Sequence, residues 1–298
     1  MRRPASLLPV LAATALLLTA CGTEHTGPGN TGADAAEPPP HTQVDDPGKD
    51  GVRITSLSLP SVSADSLPAD TGVLATYEVT NNGSKSLTYS VLFTFMSSDG
   101  GAVTNQTTTV RDVGPGKTVR GTVRAGELPP SAPRVTQAKV LEVTTVPASE
   151  APAEPGTCPA SGIRVSADKG DAAMGLRVVG LHLDNCGKRD YTVDGYPLLE
   201  LLDDDLDPVD GIEILDGSGD ITTGAGPDEP PRPVTLKPGE SATAGLVWRN
   251  TTEAGTAVNV PHVRVRAKAG ADPVTVTPHL DLGTTGKLGV RPWEKAER

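Results

Sequence analysis

Serine and histidine are the residues of this sequence that could carry out hydrolysis. A hydrolase needs a nucleophile, a base within hydrogen-bond reach and a group that orients the base. Ser218 does not fit the Gly-x-Ser-x-Gly turn of hydrolytic serines, because its flanking run is Asp216-Gly217-Ser218-Gly219-Asp220. His182 stands between Leu181 and Leu183, where strand alternation predicts that it faces outward or fills a sandwich edge. The candidate bases are His25, His41, His182, His262 and His279. We predict no catalytic residue and no enzymatic activity.

Ser166-Ala167-Asp168-Lys169 matches the Ser-x-x-Lys motif of β-lactamase-like enzymes. Those enzymes also need a Lys-Thr-Gly motif, which this sequence lacks, and a helix that begins at the serine. Residues 163–166 are predicted as a strand instead. An envelope hydrolase is therefore only the third alternative for the function.

A calcium site is one hypothesis for the acidic run Asp203-Asp204-Asp205-Leu206-Asp207-Pro208-Val209-Asp210. Its alternate aspartates fit the first ligand positions of an EF-hand loop. The sixth position should be glycine and is Pro208, and the twelfth should be glutamate and is Ile214. Two interpretations remain, an irregular surface calcium site and a solvated turn between two strands. We favour the turn, and we predict no metal ligand and no cofactor.

The N-terminal residues predict an export signal. Arg2 and Arg3 precede an apolar run from Leu7 to Ala20, which is shorter than the roughly 20 apolar residues of a transmembrane helix. The run ends in Leu18-Thr19-Ala20-Cys21, which resembles the lipobox of bacterial lipoproteins. The resemblance implies that a diacylglyceryl group on the Cys21 thiol anchors the protein to the outer, extracytoplasmic face of the cell membrane. The alternative is a plain signal peptide with a chance cysteine.

Cys158 and Cys186 are the two cysteines that remain after Cys21. An even pair in an exported protein favours a disulfide, because that compartment is oxidising. His182 could join them as a zinc ligand, but the sequence has no Cys-x-x-Cys spacing. Two free thiols are the remaining alternative. We predict the disulfide Cys158–Cys186.

Composition excludes some partners and favours short strands. The formal net charge is −11 over 298 residues, so nucleic acid is not an expected partner. Four tyrosines, two phenylalanines and two tryptophans leave the cores to valine, leucine, isoleucine and alanine. The 33 glycines and 28 prolines suit many strands joined by turns.

Composition also divides the chain into five segments. Residues 1–20 form the signal peptide, and residues 21–50 form a polar tether that we predict to be disordered, because it cannot bury enough apolar surface. Residues 51–146 and 158–294 carry strand patterns. Residues 147–157 are rich in proline, alanine and glutamate, which predicts a linker between two domains.

The first module shows the alternation of strands. Apolar and polar residues alternate over 73–79 and 89–95. Further strands are predicted at 103–113, 119–123 and 135–143, with turns at 81–84, 98–101 and 114–117. The order Asn81-Asn82-Gly83, Phe93-x-Phe95, Asp99-Gly100 and Pro115-Gly116 is similar to FxLYD-type and related immunoglobulin-like modules of bacterial lipoproteins. An immunoglobulin-like β-sandwich is therefore expected.

The second module shows a clearer family pattern. Strands are predicted at 163–166, 174–183, 191–193, 198–202, 212–215, 241–248, 263–267 and 274–277. The motifs in question are Cys158-Pro159, Leu183-Asp184-Asn185-Cys186-Gly187, Asp194-Gly195-Tyr196-Pro197, Leu236-Lys237-Pro238-Gly239 and Leu246-Val247-Trp248-Arg249. They resemble a DUF4232 domain of actinobacterial lipoproteins. The resemblance implies a fold and no assigned activity.

A short repeat links the two modules. Asn81-Asn82-Gly83 aligns with Asn185-Cys186-Gly187, and each is followed later by a Pro-Gly pair, Pro115-Gly116 or Pro238-Gly239. Pro-Gly suits the centre of a type II turn, because glycine accepts positive φ. The repeat predicts two all-β, immunoglobulin-like sandwiches, the second with an insertion over 203–233. Coincidence of common turn sequences is the alternative.

The two tryptophans could line a sugar-binding surface. Trp248 shares an apolar strand face with Ala242, Ala244 and Leu246, which predicts core packing. Trp293, beside Pro292 near the chain end, is expected to be more exposed, with packing of that end as its favoured role.

The expected function is a non-catalytic interaction module at the cell envelope. Its partner would be an envelope protein or a wall polymer, and the 203–233 insertion is the candidate surface. A passive envelope spacer or structural protein is the alternative.

Overall fold

The fold is all-β, as the sequence predicts. The computed structural model describes residues 41–44, 46–59, 72–223 and 230–296. The predicted signal peptide, Cys21, His25 and most of the predicted tether lie outside the described residues. Among the described residues the one helical segment is a single 3-10 turn, Ala148–Glu150, and no helix could cross a bilayer.

The first sandwich is built from seven strands: β1 His41–Gln43, β2 Val52–Ser58, β3 Leu74–Thr80, β4 Leu87–Met96, β5 Ala102–Val113, β6 Thr118–Arg124 and β7 Gln137–Pro147. They form two antiparallel sheets, β1-β2-β3-β6 and β5-β4-β7. Alternate side chains of both sheets fill one core, in which the rings of Tyr77 and Phe93 lie 4.9 Å apart. The period-two pattern of the sequence therefore marks the buried faces correctly.

The second sandwich has thirteen strands, listed here in chain order: β8 Ile163–Ala167, β9 Asp171–Ala173, β10 Leu176–Asn185, β11 Tyr191–Val193, β12 Leu198–Leu202, β13 Glu213–Asp216, β14 Val234–Leu236, β15 Ser241–Arg249, β16 Val258–Val260, β17 His262–Arg266, β18 Val274–Val276, β19 Leu280–Gly283 and β20 Lys287–Lys295. The largest sheet has the order β13-β20-β15-β10-β8, with β9 paired to β10. Smaller sheets are β12-β17-β18, β11-β14 and β16-β19. Leucines and valines of these sheets share one core.

A buried asparagine fixes the corner after β3 in the first sandwich. Asn81 is fully buried, and its Nδ2 donates to the carbonyls of Lys85 and Val113, both at 2.7 Å. Its Oδ1 accepts the Gly83 N–H at 2.8 Å, and its own carbonyl accepts the Gly116 N–H at 2.8 Å. One residue, through its side chain and its backbone carbonyl, therefore joins the corner to the end of β5 and to the Pro-Gly turn before β6.

Asn185 makes the same network in the second sandwich. Its Nδ2 donates to the carbonyls of Arg189 and Leu236, both at 2.8 Å. Its Oδ1 accepts the Gly187 N–H at 3.1 Å, and its carbonyl accepts the Gly239 N–H at 2.7 Å. The predicted repeat is therefore confirmed at the level of individual hydrogen bonds.

The predicted disulfide Cys158–Cys186 is present, with the two Cα atoms 5.7 Å apart. Beside it, Gly162 and Gly187 pack backbone to backbone, since a Cβ on Gly162 would lie 2.9 Å from the Gly187 Cα. The first sandwich closes the same corner with Asn82 in place of cysteine. The disulfide therefore fastens the residues before β8 to a corner that hydrogen bonds already define.

The two tryptophans are both buried. Trp248 is 2% exposed, which confirms its predicted core position. Trp293 is 1% exposed, so the expectation of greater exposure was wrong. Its indole Nε1–H donates to the Ala267 carbonyl at 3.0 Å, and its backbone N–H donates to the Gly195 carbonyl at 2.9 Å.

Arginines bind the residues predicted as a linker. Glu150 accepts hydrogen bonds at 2.7 Å from Arg264 Nε and from the Thr275 hydroxyl, both in the second sandwich. Glu154 accepts a hydrogen bond at 3.1 Å from Arg111 Nε of the first sandwich. Each of these two carboxylates is thus paired with an arginine of a different sandwich.

Candidate functional site

The strand register brings Ser166 opposite His182 on the outer face of the large sheet. Asp168 Oδ2 lies 3.5 Å from His182 Nε2, longer than a hydrogen bond. Asp168 Oδ1 accepts the N–H groups of Gly170 and Gly180 at 2.8 and 3.0 Å. The side chains of His182 and Asp168 are 42% and 45% exposed. Water therefore surrounds these groups, and they lack the enclosed environment that makes such a set reactive.

His262 and His279 differ in burial. His262 is 2% exposed, and burial lowers its pKa because the charged imidazolium is disfavoured there. His279 is half-exposed and lines a cavity that is described below. Lys169 lines the same cavity and Ser166 does not, so the cavity does not bring the Ser-x-x-Lys pair together.

The acidic run forms a tight turn after β12. Asp203 Oδ1 accepts the N–H groups of Asp205 and Asp207 at 3.0 and 2.9 Å, and Leu206 adopts a positive φ of 66°. Within the described residues, no group of three or more His, Cys, Asp or Glu side chains is arranged to hold a metal ion. These contacts favour the turn interpretation over the calcium site.

Part of the 203–233 insertion belongs to the large sheet. Its strand β13 pairs in parallel with β20, and the next two residues, Gly217 and Ser218, are buried. A Cβ on Gly289 would lie 2.6 Å from the Gly217 carbonyl oxygen, so this packing is close. Residues 224–229 lie outside the described residues. The first half of the insertion is therefore structural, and deleting it would damage the sheet.

A polar cavity of about 320 Å³ opens on the side of the second sandwich. This volume is at the lower end of small-molecule sites. Its floor is formed by β10 and β15, and its walls by the β9 hairpin and by the chain that leads into β19. The side chains that carry its chemistry are Lys169, Asp171, Arg177, Trp248, His279 and Asp281.

Asp281 is the fixed centre of this cavity. Its Oδ1 accepts the indole Nε1–H of Trp248 at 2.8 Å, and its Oδ2 accepts the Asn250 amide at 2.9 Å. Arg177 approaches the same Oδ2 at 3.3 Å. Burial would raise the pKa of Asp281, but the hydrogen bonds from Trp248 and Asn250 and the charge of Arg177 hold it below its ordinary value of 3.8. The carboxylate is thus ionised and held in one orientation.

Lys169 and Asp171 stand at the mouth of the cavity with unused polar groups. Both are exposed, and neither side chain has a hydrogen-bond or ion-pair partner among the described residues. One guanidinium nitrogen of Arg177 contacts Asp281, and another has a long contact of 3.5 Å with the Leu176 carbonyl. Most of the five N–H donors of Arg177 are therefore available to a ligand. The cavity therefore offers donors and acceptors together.

His279 joins the cavity to the first sandwich. Its Nε2 lies 3.5 Å from the Glu142 carboxylate on β7. Its backbone has a positive φ of 50°, a conformation that non-glycine residues rarely adopt. Such strain persists where the surrounding structure imposes it, and it is frequent at binding sites.

Sequence reasoning considered three of these six residues as candidates, Lys169, Trp248 and His279, and missed how they combine. Arg177 and Asp281 carry no local signal, because each is an ordinary polar residue on an alternating strand. Lys169 was considered only as the partner of Ser166. The contacts between β10, β15 and β19 that assemble the cavity are long-range, so no sequence spacing encodes them.

Residues 158–294 match the family model described as a domain of unknown function, DUF4232. The match confirms the resemblance predicted for the second module, and it covers less than half of the chain. No curated protein matches the sequence, and no solved structure matches it either.

Proposed function

We propose that this chain is a lipid-anchored extracytoplasmic lipoprotein and that its DUF4232 module is a non-catalytic binding module at the cell envelope. The polar cavity around Asp281 is the observation that carries the binding part of the proposal. A site with convergent, fixed polar groups and unpaired charges at its mouth is suited to hold a polar ligand. The motif ending at Cys21 supports the membrane anchor.

The contents of the cavity argue for binding rather than catalysis. Its lining contains no serine, threonine or cysteine that could act as a nucleophile. The lowered pKa of Asp281 makes that carboxylate a poor general acid. Ser166, His182 and Asp168 lie on an open sheet face, and none of the three lines the cavity.

The anchor is tested by fatty-acid labelling of growing cells. The wild-type chain should incorporate an alkyne-tagged fatty acid, and Cys21→Ser should not. Cys186→Ser is the matched control, because it removes a thiol that the proposal assigns to a disulfide. Labelling that survives Cys21→Ser would remove the anchor from the proposal.

Binding is tested by co-sedimentation of the detergent-solubilised full chain with isolated envelope fragments. Lys169→Ala and Asp171→Ala should lower the retained fraction. Lys188→Ala is the matched control, since Lys188 is an exposed lysine in the corner after Cys186. Equal retention of all variants would show that the cavity is not the binding place.

A passive spacer is the second candidate, and the ion pairs made by residues 147–157 favour it. Glu150 and Glu154 bind arginines of different sandwiches, and such contacts restrict motion of the linker, which suits a spacer. A deletion strain with altered envelope integrity, but with envelope retention that is independent of the cavity, would favour this candidate.

A further inference from the structure

We propose that the Asp281 cavity binds one uncharged sugar unit of an envelope glycan. This inference rests on the proposed binding function and names the ligand class for the same site. It is argued from the charge balance, the fixed hydrogen-bond groups and the strained rim of the cavity.

The charges of the cavity nearly cancel. Lys169 and Arg177 supply two cations, and Asp171 and Asp281 supply two anions. A small anion or cation placed among them would meet attraction from one pair and repulsion from the other. A hydroxyl group both donates and accepts hydrogen bonds, so a polyhydroxylated neutral ligand can satisfy the ammonium, the guanidinium and the carboxylates together.

The acceptor at the centre is already oriented for such a ligand. Trp248 and Asn250 hold the Asp281 carboxylate through its two oxygens, at 2.8 and 2.9 Å, and Arg177 adds a third contact. The Asp281 backbone N–H contributes a further hydrogen bond, and a carboxylate accepts about four in all, so a ligand hydroxyl would bond to Oδ2 by replacing the long Arg177 contact. Little ordering of side chains is then needed on binding, which favours affinity in a small site.

The indole of Trp248 limits how the sugar can lie. The whole residue is only 2% exposed, so its ring face is not available for stacking. Recognition must therefore come mainly from hydrogen bonds, and the affinity for a single sugar should be in the millimolar range. A polymer with many copies would bind more tightly by avidity.

The rim of the cavity carries the strain that often accompanies a binding site. His279 has a φ of 50°, and Met174 has a φ of 47° at the tip of the hairpin whose base lines the cavity. Neither residue is a glycine, so a positive φ costs energy at both positions. The surrounding structure must impose these two conformations.

The two tryptophans provide the experiment with an internal control. Trp248 Nε1–H bonds to Asp281 in the cavity, whereas Trp293 Nε1–H bonds to the Ala267 carbonyl in the core. We would titrate the ¹⁵N-labelled full chain, in a detergent without a sugar headgroup, with N-acetylglucosamine and with methyl glucoside. The Trp248 indole signal should shift saturably with at least one sugar, and the Trp293 signal should stay in place.

Two variants and two ions complete the test. Lys169→Ala and Asp171→Asn should each weaken sugar binding about tenfold, and Lys188→Ala should leave it unchanged. Phosphate and acetate are the competing probes. A Trp248 shift at lower concentrations of either ion than of sugar would overturn the sugar assignment, and so would the absence of any sugar-induced shift. Cavity-dependent retention on envelope fragments would then leave the proposed function standing with another ligand class.

Discussion

Replacing Asn185 with alanine should destabilise the second sandwich by about 3 kcal/mol. Asn185 is 1% exposed, and its side chain makes three hydrogen bonds at 2.8, 2.8 and 3.1 Å. Each such bond contributes about 1 kcal/mol net, and truncation also leaves a buried partner, the Leu236 carbonyl, without its donor. For a module of this size the loss corresponds to a fall of about 10 °C in Tm.

The tryptophans allow this loss to be measured in one sandwich at a time. Both belong to the second sandwich, so tryptophan fluorescence follows its unfolding, whereas far-UV circular dichroism follows both sandwiches. Asn185→Ala should shift the fluorescence transition. Asn81→Ala, which removes the equivalent network from the first sandwich, should shift the circular dichroism transition and leave fluorescence nearly unchanged.

Asn82→Ala is the control for the corner, because Asn82 is exposed and lies next to the buried Asn81. Surface substitutions of this kind change the free energy of unfolding by about 0.5 kcal/mol or less. If Asn185→Ala moves the fluorescence transition no further than Asn82→Ala moves the circular dichroism transition, the corner does not stabilise the fold and the reasoning is wrong.

Three further predictions follow from contacts elsewhere. Replacing Cys158 and Cys186 together with serine should cost the second sandwich about 3–4 kcal/mol in denaturant unfolding followed by fluorescence, because the disulfide closes a loop with a sequence separation of 28; an unchanged midpoint would contradict this. Glu150→Gln should speed protease cleavage within residues 147–157 more than Glu154→Gln does, because the Glu150 side chain is 17% exposed and that of Glu154 is 63% exposed; equal rates would count against the clamp. The folded-state pKa of Asp281 lies below its ordinary value, so its contribution to stability is present above pH 3.8 and is lost as the pH falls below that value; the acid-induced shift of the Trp248 indole signal should disappear in Asp281→Asn.

The corners of both sandwiches could be predicted because their chemistry is local. An asparagine followed two residues later by glycine, and later by Pro-Gly, specifies a turn whose glycine takes positive φ, and Gly116 and Gly239 do so at 66° and 83°. Two short strands, β11 and β12, were predicted with their observed bounds. Local rules suffice where the pattern of one segment decides its structure.

Strand β20 shows where such rules stop. Its sequence contains Gly289 and Pro292, both of which weaken a strand prediction. In the sheet, the register with β15 shifts between Thr243 and Gly245, and Pro292 lies in the irregular stretch that this shift creates. Trp293 follows it and enters the core. Residues 287–295 form a strand because β15 pairs with them, and their own sequence does not predict it. The burial of Trp293 depends on this pairing and could not be inferred from the sequence around it.

The cavity could not be predicted for a different reason. Trp248 and Asp281 lie on β15 and β19, and Arg177 lies on β10, so the site exists only after three distant strands have packed. The residues next to each of the three in sequence do not indicate a binding site. Of the motifs that stand out in the sequence, the acidic run forms a turn, and Ser166-x-x-Lys169 contributes only Lys169 to the cavity, while Ser166 lies on an exposed sheet face.

The contacts between the sandwiches bear on how the cavity would be presented at the envelope. His279 at the cavity rim meets Glu142 of the first sandwich, and Glu150 meets Arg264 of the second. The Glu150 and Arg264 side chains are only 17% and 21% exposed, so this pair is less screened by water than an ordinary surface ion pair. The first sandwich therefore restrains the direction in which the cavity faces. Under the proposed binding function, the paired sandwiches would therefore fix the orientation in which the cavity meets its ligand.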